Sequence, residues 1–353
     1  MNNSVEARRL KRGADLAGLP RFFGQPAVKG VIRHEPGDFR VRESLAFDLS
    51  DTGEHLYLLV RKTGQNTRWV ARQLAHVLNL PFRSVGYAGM KDRHAVAEQW
   101  FSVHLPGRAD PGRISIDGVE VLARRRHGTK LRIGALNGNR FSIVLRDLTG
   151  DMEELARRLT GLRDGFVPNY FGAQRFGRGG ANLDLLGKLG ERTIGSLGRE
   201  SRSFALSALR SALFNNYLAR RIESNSANRP MCGEIVYGEE GYRHEPDVRA
   251  RRGEFRPTGL LWGAGESRAT GAASEDECAF FAQYPAATKL LASRQLRMIR
   301  RPLMIRPAGL EWQFEDRRAT LSFSLGRGQF ATAVLRECLT WPDDSPGIVA
   351  ARA

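Results

Sequence analysis

The sequence predicts an α+β protein in which one strand-rich domain is interrupted by a mainly helical α+β insertion. Three observations predict it. Short apolar runs alternate with helical periodicity from Gly30 to Asp164. The composition changes after Gly165, first to glycine and aromatic residues and then to a long helical pattern. Strand signals return at Arg318–Leu325 and are followed by one more helix. The expected bounds are 1–164 and 305–353 for the two parts of the strand-rich domain and 165–304 for the insertion.

Each element has its own reason. Residues 1–25 are polar and basic and read as a loose lead-in. Phe39 and Val41 centre one strand and Leu56–Val60 a second, separated by the turn Ser50-Asp51-Thr52-Gly53. Asn66 or Thr67 can cap a helix reaching Asn79, since Val70, Leu74, Val77 and Leu78 fall at helical spacing and Pro81 closes it. A polar loop fills 86–99. Trp100–Leu105, Val119–Ala123, Leu131–Ile133 and Phe141–Asp147 read as strands, with Arg124–Lys130 as a basic connection. Asp151 caps a helix over 151–163 that turns Leu155 and Leu159 inward. In the insertion, a helix over Ser203–Arg221 carries Leu206, Leu209, Leu213, Tyr217 and Leu218. Residues 224–275 are rich in glycine and arginine without a clear period, 276–297 reads as helix, and Gln329–Leu339 is the final helix.

The charge narrows the function. The chain of 353 residues has a formal net charge of +17, a surplus that serves the binding of a polyanion and otherwise adds self-repulsion. Of the 55 basic residues only seven are lysine, and arginine suits bidentate phosphate contacts and stacking on bases. The three cysteines, Cys232, Cys278 and Cys338, match no metal or disulfide spacing. The N-terminus has no apolar signal-peptide core, and no run approaches a membrane span of about 18 apolar residues. A cytoplasmic, monomeric protein without a membrane is expected.

The chemistry concentrates in Gly86–Phe101, GYAGMKDRHAVAEQWF. Asp92 stands between Lys91 and Arg93-His94. An aspartate in such company is ordinarily a helix cap or a surface ion pair. Here the cations also favour an ionised carboxylate, as a nucleophile or base requires, and Gly86 and Gly89 allow a special backbone conformation. Phe39, Tyr87, Phe141 and Phe330 sit beside polar or basic residues and serve either as core or as platforms for an extruded base. Asn139 reads first as part of a turn, Asn137-Gly138-Asn139, and otherwise as a base-edge contact. Arg175 and Arg178, in NYFGAQRFGRGG, contact phosphates or belong to a tight structural loop; the run lacks the lysine and spacing of a P-loop.

These stretches carry a resemblance. GYAGMKDRHAVAEQWFSV closely resembles the signature of the TruD family of tRNA pseudouridine synthases, as do NGNRF at 137–141, VPNYFGAQRFG at 167–177, SFALSALRSALFN at 203–215 and QFATAVLR at 329–336. The likeness runs through roughly 31–220 and 318–340 and is weak over 224–300. It implies a pseudouridine-synthase catalytic domain, a mixed sheet flanked by helices, interrupted by a family-specific insertion domain. It implies conversion of uridine to pseudouridine at position 13 in the D arm of tRNA, with no cofactor and no metal. Other structured RNA is a further candidate partner. By position in the motifs, Asp92 is implied as the catalytic carboxylate and Arg33 as its basic partner, where relatives carry lysine. Phe39, Asn139, Phe141 and Phe330 are implied as the uridine pocket; Tyr87 is expected beside them, and Lys91, Arg175 and Arg178 are expected as contacts to the RNA backbone. Gly37 stands where an acidic residue is common in the family.

Two other classes share parts of this pattern. A non-catalytic RNA-binding or RNA-chaperone protein would need the charge and the aromatics but not the aspartate. An aspartate-nucleophile hydrolase would need further acidic residues for Mg²⁺, for which Glu98 alone is a poor candidate.

Overall fold

The computed structural model describes residues 2–187, 197–238, 241–245 and 255–342. The chain forms two compact units. One comprises 26–163, 307–328 and 338–353; the other comprises 1–25, 164–306 and 329–337. Residues 1–25 and 329–337, expected with the strand-rich domain, therefore pack in the unit that contains 164–306.

The first unit is built on a nine-stranded sheet. Its strands are β1 (Lys29–Ile32), β2 (Phe39–Leu45), β3 (His55–Thr63), β4 (Val85–Tyr87), β5 (Val96–His104), β6 (Val119–His127), β7 (Leu136–Thr149) and, in the numbering below, β14 (Ala308–Glu315) and β15 (Arg318–Gly326). The path runs β14-β15-β7-β2-β5-β3-β6, with β1 paired to β7 and β4 to β5. The β2–β5 pair is parallel and every other pair is antiparallel, so the sheet is mixed. Helix α2 (Thr67–Val77) lies on one face. It buries Val70, Ala71 and Leu74 against Leu56, Leu58, Val60, Phe101 and Val103, each large side chain contributing about 1.5–3 kcal/mol. Tyr57, Ala88, Leu131 and Leu136 form a separate cluster. Helix α3 (Met152–Asp164) follows β7, its first turn held by Asp151 Oδ1, which accepts from the Glu153 and Glu154 amides.

The second unit packs around one long helix. Its elements are α1 (Asn2–Ala14), β8 (Val167–Pro168), α4 (Ala181–Gly187), α5 (Arg199–Glu223), β9 (Glu234–Gly238), β10 (Gly241–Glu245), β11 (Arg256–Leu261), α6 (Gly271–Phe281), α7 (Pro285–Ser293), β12 (Ile299–Pro302), β13 (Met304–Ile305) and α8 (Ala331–Leu335). Ala208, Leu209, Ala212, Leu213, Phe214, Tyr217 and Leu218 of α5 are all buried. The polar lead-in is helical because α5 holds it. Asn216 donates to the Arg9 carbonyl at 2.7 Å and Asn215 to the Gly13 carbonyl at 2.8 Å. A Cβ on Gly13 would lie 2.2 Å from the Ala212 oxygen, so only glycine permits this approach.

Other boundaries moved for tertiary reasons. Arg124–His127 is not a connection but the end of β6, paired to β3. Asn137–Asn139 is not a turn but lies inside β7, between β2 and β15. Leu131–Ile133 is not a strand. The helix expected over 276–297 is two helices, α6 and α7. The aperiodic 224–275 holds β9, β10 and β11, and its residues 239–240 and 246–254 lie outside the described residues. Among the described residues no helix is long and apolar enough to cross a membrane.

Candidate active site

Asp92 lies in the loop between β4 and β5. Its carboxylate is 28% exposed, so a substrate can reach it. Arg33, just after β1, donates from Nη2 to Asp92 Oδ2 at 2.6 Å, and its own side chain is only 6% exposed. A charge-assisted contact of that length, with the cation buried, holds the carboxylate in one direction. The guanidinium lies 4.1 Å from the centroid of the Phe39 ring. Arg33 also has a left-handed φ of 56°, a conformation that costs a non-glycine residue of order 1 kcal/mol or more and is found at sites that need it. The His94 ring nitrogen, 3.2 Å from the Arg33 carbonyl, ties this turn to the Asp92 loop.

The loop is fixed from beneath by side chains of β2, β3, β5 and α2. Lys62 of β3 donates to the Asp92 carbonyl at 2.7 Å and to the Gln65 carbonyl at 2.8 Å. Thr67 Oγ1 accepts from the Lys91 amide at 2.9 Å and donates to Gln99 Oε1 at 3.0 Å, and Gln99 donates in turn to the Gly89 carbonyl. Arg93 donates to the Gly64 carbonyl at 3.0 Å. The glycines play a different part from the one expected. Neither Gly86 nor Gly89 has a left-handed φ. Gly86 is needed because a Cβ there would lie 2.3 Å from the Leu131 oxygen, whereas Gly89 has ordinary room.

Lys91 differs from its expected role as a backbone contact. Its ammonium turns inward to Glu43 Oε2 at 2.5 Å, with both side chains buried. Burial pushes the Glu43 carboxyl up from its ordinary range, and the Lys91 charge opposes that rise. A lysine spent on a buried carboxylate is a brace for the loop and is not available to a phosphate.

The aromatic and amide residues divide. Phe39 and Phe141 meet edge to face at 5.9 Å, and Phe141 stacks on Phe323 of β15 at 5.5 Å. Phe39 is 3% exposed and so supports the Arg33 guanidinium from within the sheet. Asn139 pairs across from Glu43 and places Oδ1, buried and without a hydrogen-bond partner, on the same face as Phe141. Tyr87 packs toward α2 and β5, 6.1 Å from Phe101.

Phe330, Arg175 and Arg178 belong to the second unit. Phe330 lies 5.7 Å from Phe171. The Arg175 and Arg301 guanidinia lie over that same Phe171 ring, at 5.3 and 4.1 Å. Burial pushes Arg175 and Arg210 below the ordinary arginine range and Arg301 down to about 9, and the Arg175 charge adds to the fall of the other two. The side chain of Arg178 lies outside the described residues. Glu98 is committed to Arg61 at 2.9 Å and Arg42 at 3.5 Å. Among the described residues no cluster of histidine, cysteine and carboxylate side chains has the arrangement of a metal site.

Comparison with known proteins places the whole chain. The family model for tRNA pseudouridine synthase D (TruD) matches residues 20–190 and 190–338. The tRNA pseudouridine synthase D of Aeromonas salmonicida is 41% identical over 336 residues, covering 92% of this chain and 94% of that one. That of Methylococcus capsulatus is 42% identical over 342 residues, covering 92% and 96%. A crystal structure of a TruD protein from Methanosarcina mazei superposes with a TM-score of 0.67 over 89% of this chain and 94% of that one, at 22% identity, and so shares the α+β fold. With the family model matched over nearly its whole length, the chain belongs to the tRNA pseudouridine synthase D (TruD) family.

Proposed function

We propose that this protein isomerises uridine to pseudouridine in tRNA, at position 13 of the D arm, with Asp92 as the catalytic residue. The observation that carries the reading is the Arg33–Asp92 pair: a reachable carboxylate aimed by a buried guanidinium in the loop that bears the family's signature. The reaction breaks the N1–C1′ bond, turns the uracil and joins C5 to C1′. The C5 proton is lost and N1 gains one, so the atoms and electrons balance without a cofactor, and none is proposed. Asp92 opens the sequence by adding to the sugar, by taking a sugar proton or by adding to the base. All three require a carboxylate held in a fixed direction, and the Arg33 contact fixes it.

The unit containing Asp92 is the proposed catalytic domain, and the unit built on α5 is the proposed insertion domain. Asn139 Oδ1 has an unfilled acceptor and is suited to an N–H on the uracil edge. Phe39 and Phe141 form the floor behind the guanidinium, and Tyr87 borders the loop. Phe330 supplies a ring, and Arg175 a phosphate contact, to the same tRNA. Flipping the uridine out of its stack costs a few kcal/mol, which such contacts offset.

The test is incubation with unmodified tRNA followed by mapping of pseudouridine at single-nucleotide resolution. Wild type is expected to modify position 13. Asp92→Asn is expected to lower the rate by at least about a thousandfold while tRNA binding survives. Full turnover by the variant, or RNA annealing without isomerisation by wild type, would sink the assignment.

A further inference from the structure

Beneath the Asp92 loop lies a cation that the chemistry above does not use. Lys62 follows Leu58 and Val60 on the inward face of β3, and none of its surface reaches solvent. Its ammonium donates to two main-chain carbonyls, those of Asp92 and Gln65. Both acceptors are neutral. Gripping two carbonyls needs only a neutral donor, such as a glutamine amide. A buried ammonium costs several kcal/mol more, unless an opposite charge offsets it. The nearby acid Glu43 already pairs with Lys91. The carboxylate whose charge bears on Lys62 is that of Asp92, the residue whose carbonyl Lys62 holds, and it is shared with Arg33. Burial lowers the Lys62 ammonium to about 8, the Asp92 charge opposes that fall and the Lys91 charge adds to it.

We propose that Lys62 is a positioning residue for the isomerisation, and that its positive charge, beyond its hydrogen bonds, holds the Asp92 loop and keeps the carboxylate aimed. This rests on Asp92 being the reacting group. Two cations then serve one carboxylate in different ways. Arg33 touches Oδ2 directly, while Lys62 acts through the main chain from inside the sheet, where no substrate reaches it. Any step that discharges Asp92, by ester formation or by protonation, removes the charge that offsets Lys62. The buried ammonium therefore favours return of the free carboxylate at the end of each cycle.

The test compares Lys62→Met, which keeps the length and removes the charge, with Lys62→Gln, which keeps a donor and removes the charge. Single-turnover rate, tRNA affinity and melting temperature are measured for both, after wild type has been shown to form pseudouridine. Both variants are expected to lose at least about tenfold in rate while their tRNA Kd stays within about threefold of wild type. A Gln variant within twofold of wild type would show that hydrogen bonds suffice and would overturn the role of charge. A rate loss matched by an equal loss of folded protein in both variants would reduce Lys62 to a structural brace and overturn it too. If Lys62→Met fails to fold, the Gln variant alone decides. Inactive wild-type protein would overturn the functional reading itself, an outcome distinct from active wild type with unimpaired variants.

Discussion

Asp92 takes its direction from a residue 59 positions earlier, and the pair is asymmetric: Asp92 is open to substrate and Arg33 is closed to it. Truncating Arg33 leaves the carboxylate without its direct partner and empties the space over Phe39. Arg33→Ala is expected to slow single-turnover pseudouridine formation by about one to two orders of magnitude, with a much smaller effect on tRNA binding. A variant in which only binding fell would remove the charge-partner role. The Asp92–Arg33 pairing was legible through the family resemblance, while Asn139 reads first as a turn residue on pattern alone. No motif marks Lys62, Glu43 or Gln99, and Thr67 reads only as a helix cap, because strand register and helix docking bring these residues together from four separate elements. One signal was available. The alternation Leu58, Val60, Lys62 puts the lysine on the buried face of its strand, where a cation calls for an explanation. Lys91 shows the converse: a lysine beside the proposed catalytic aspartate looks like a phosphate contact until its buried carboxylate is seen.

At the scale of elements, β3 links the site to a second titratable row at its other end. His55 lies across from His104 on β5 and His127 on β6, and its ring stacks on His104 at 4.7 Å. Its Nδ1 is buried without a partner. Burial pushes the His55 pKa below its ordinary value; His104, Lys130 and His127 push the same way, and Glu54 opposes them. The sign follows from which state binds protons first. Unfolded chains take up this proton near pH 6.5, folded ones only at lower pH, so stability is full above about 6.5 and declines below it. His55→Phe keeps a stacking ring and removes the titration. Its denaturant midpoint is expected to fall less steeply than that of wild type between pH 7 and 5; parallel curves would show that His55 does not contribute. The strands and helices with strong period were legible, α2 and α5 most clearly. Helix α1 was not, because its residues lack a strong apolar stripe and its order comes from asparagines of α5. The end of β6 was hidden by its own charge, since Arg124–His127 reads as a surface connection until β3 pairs with it.

For the whole molecule, the net charge of +17 is the quantity that RNA binding should report. Arg175, held over Phe171 and lowered by burial, is the cation expected to engage a phosphate. Arg175→Gln is expected to weaken tRNA binding and to make the slope of log Kd on log salt shallower by about one; an unchanged slope would exclude a phosphate contact. The order of segments in the two units has a consequence for synthesis. Helix α1 leaves the ribosome before α5, and the α5 residues that hold it, Asn215 and Asn216, are made about another 200 residues later, roughly 10–40 s at about 5–20 residues per second. The other unit waits as well, since β7 lacks its neighbour β15 until residue 326 has been made. Neither unit can close on a partial chain. A nascent or truncated product that stops short of residue 326 therefore carries the Asp92 signature without the finished sheet behind it.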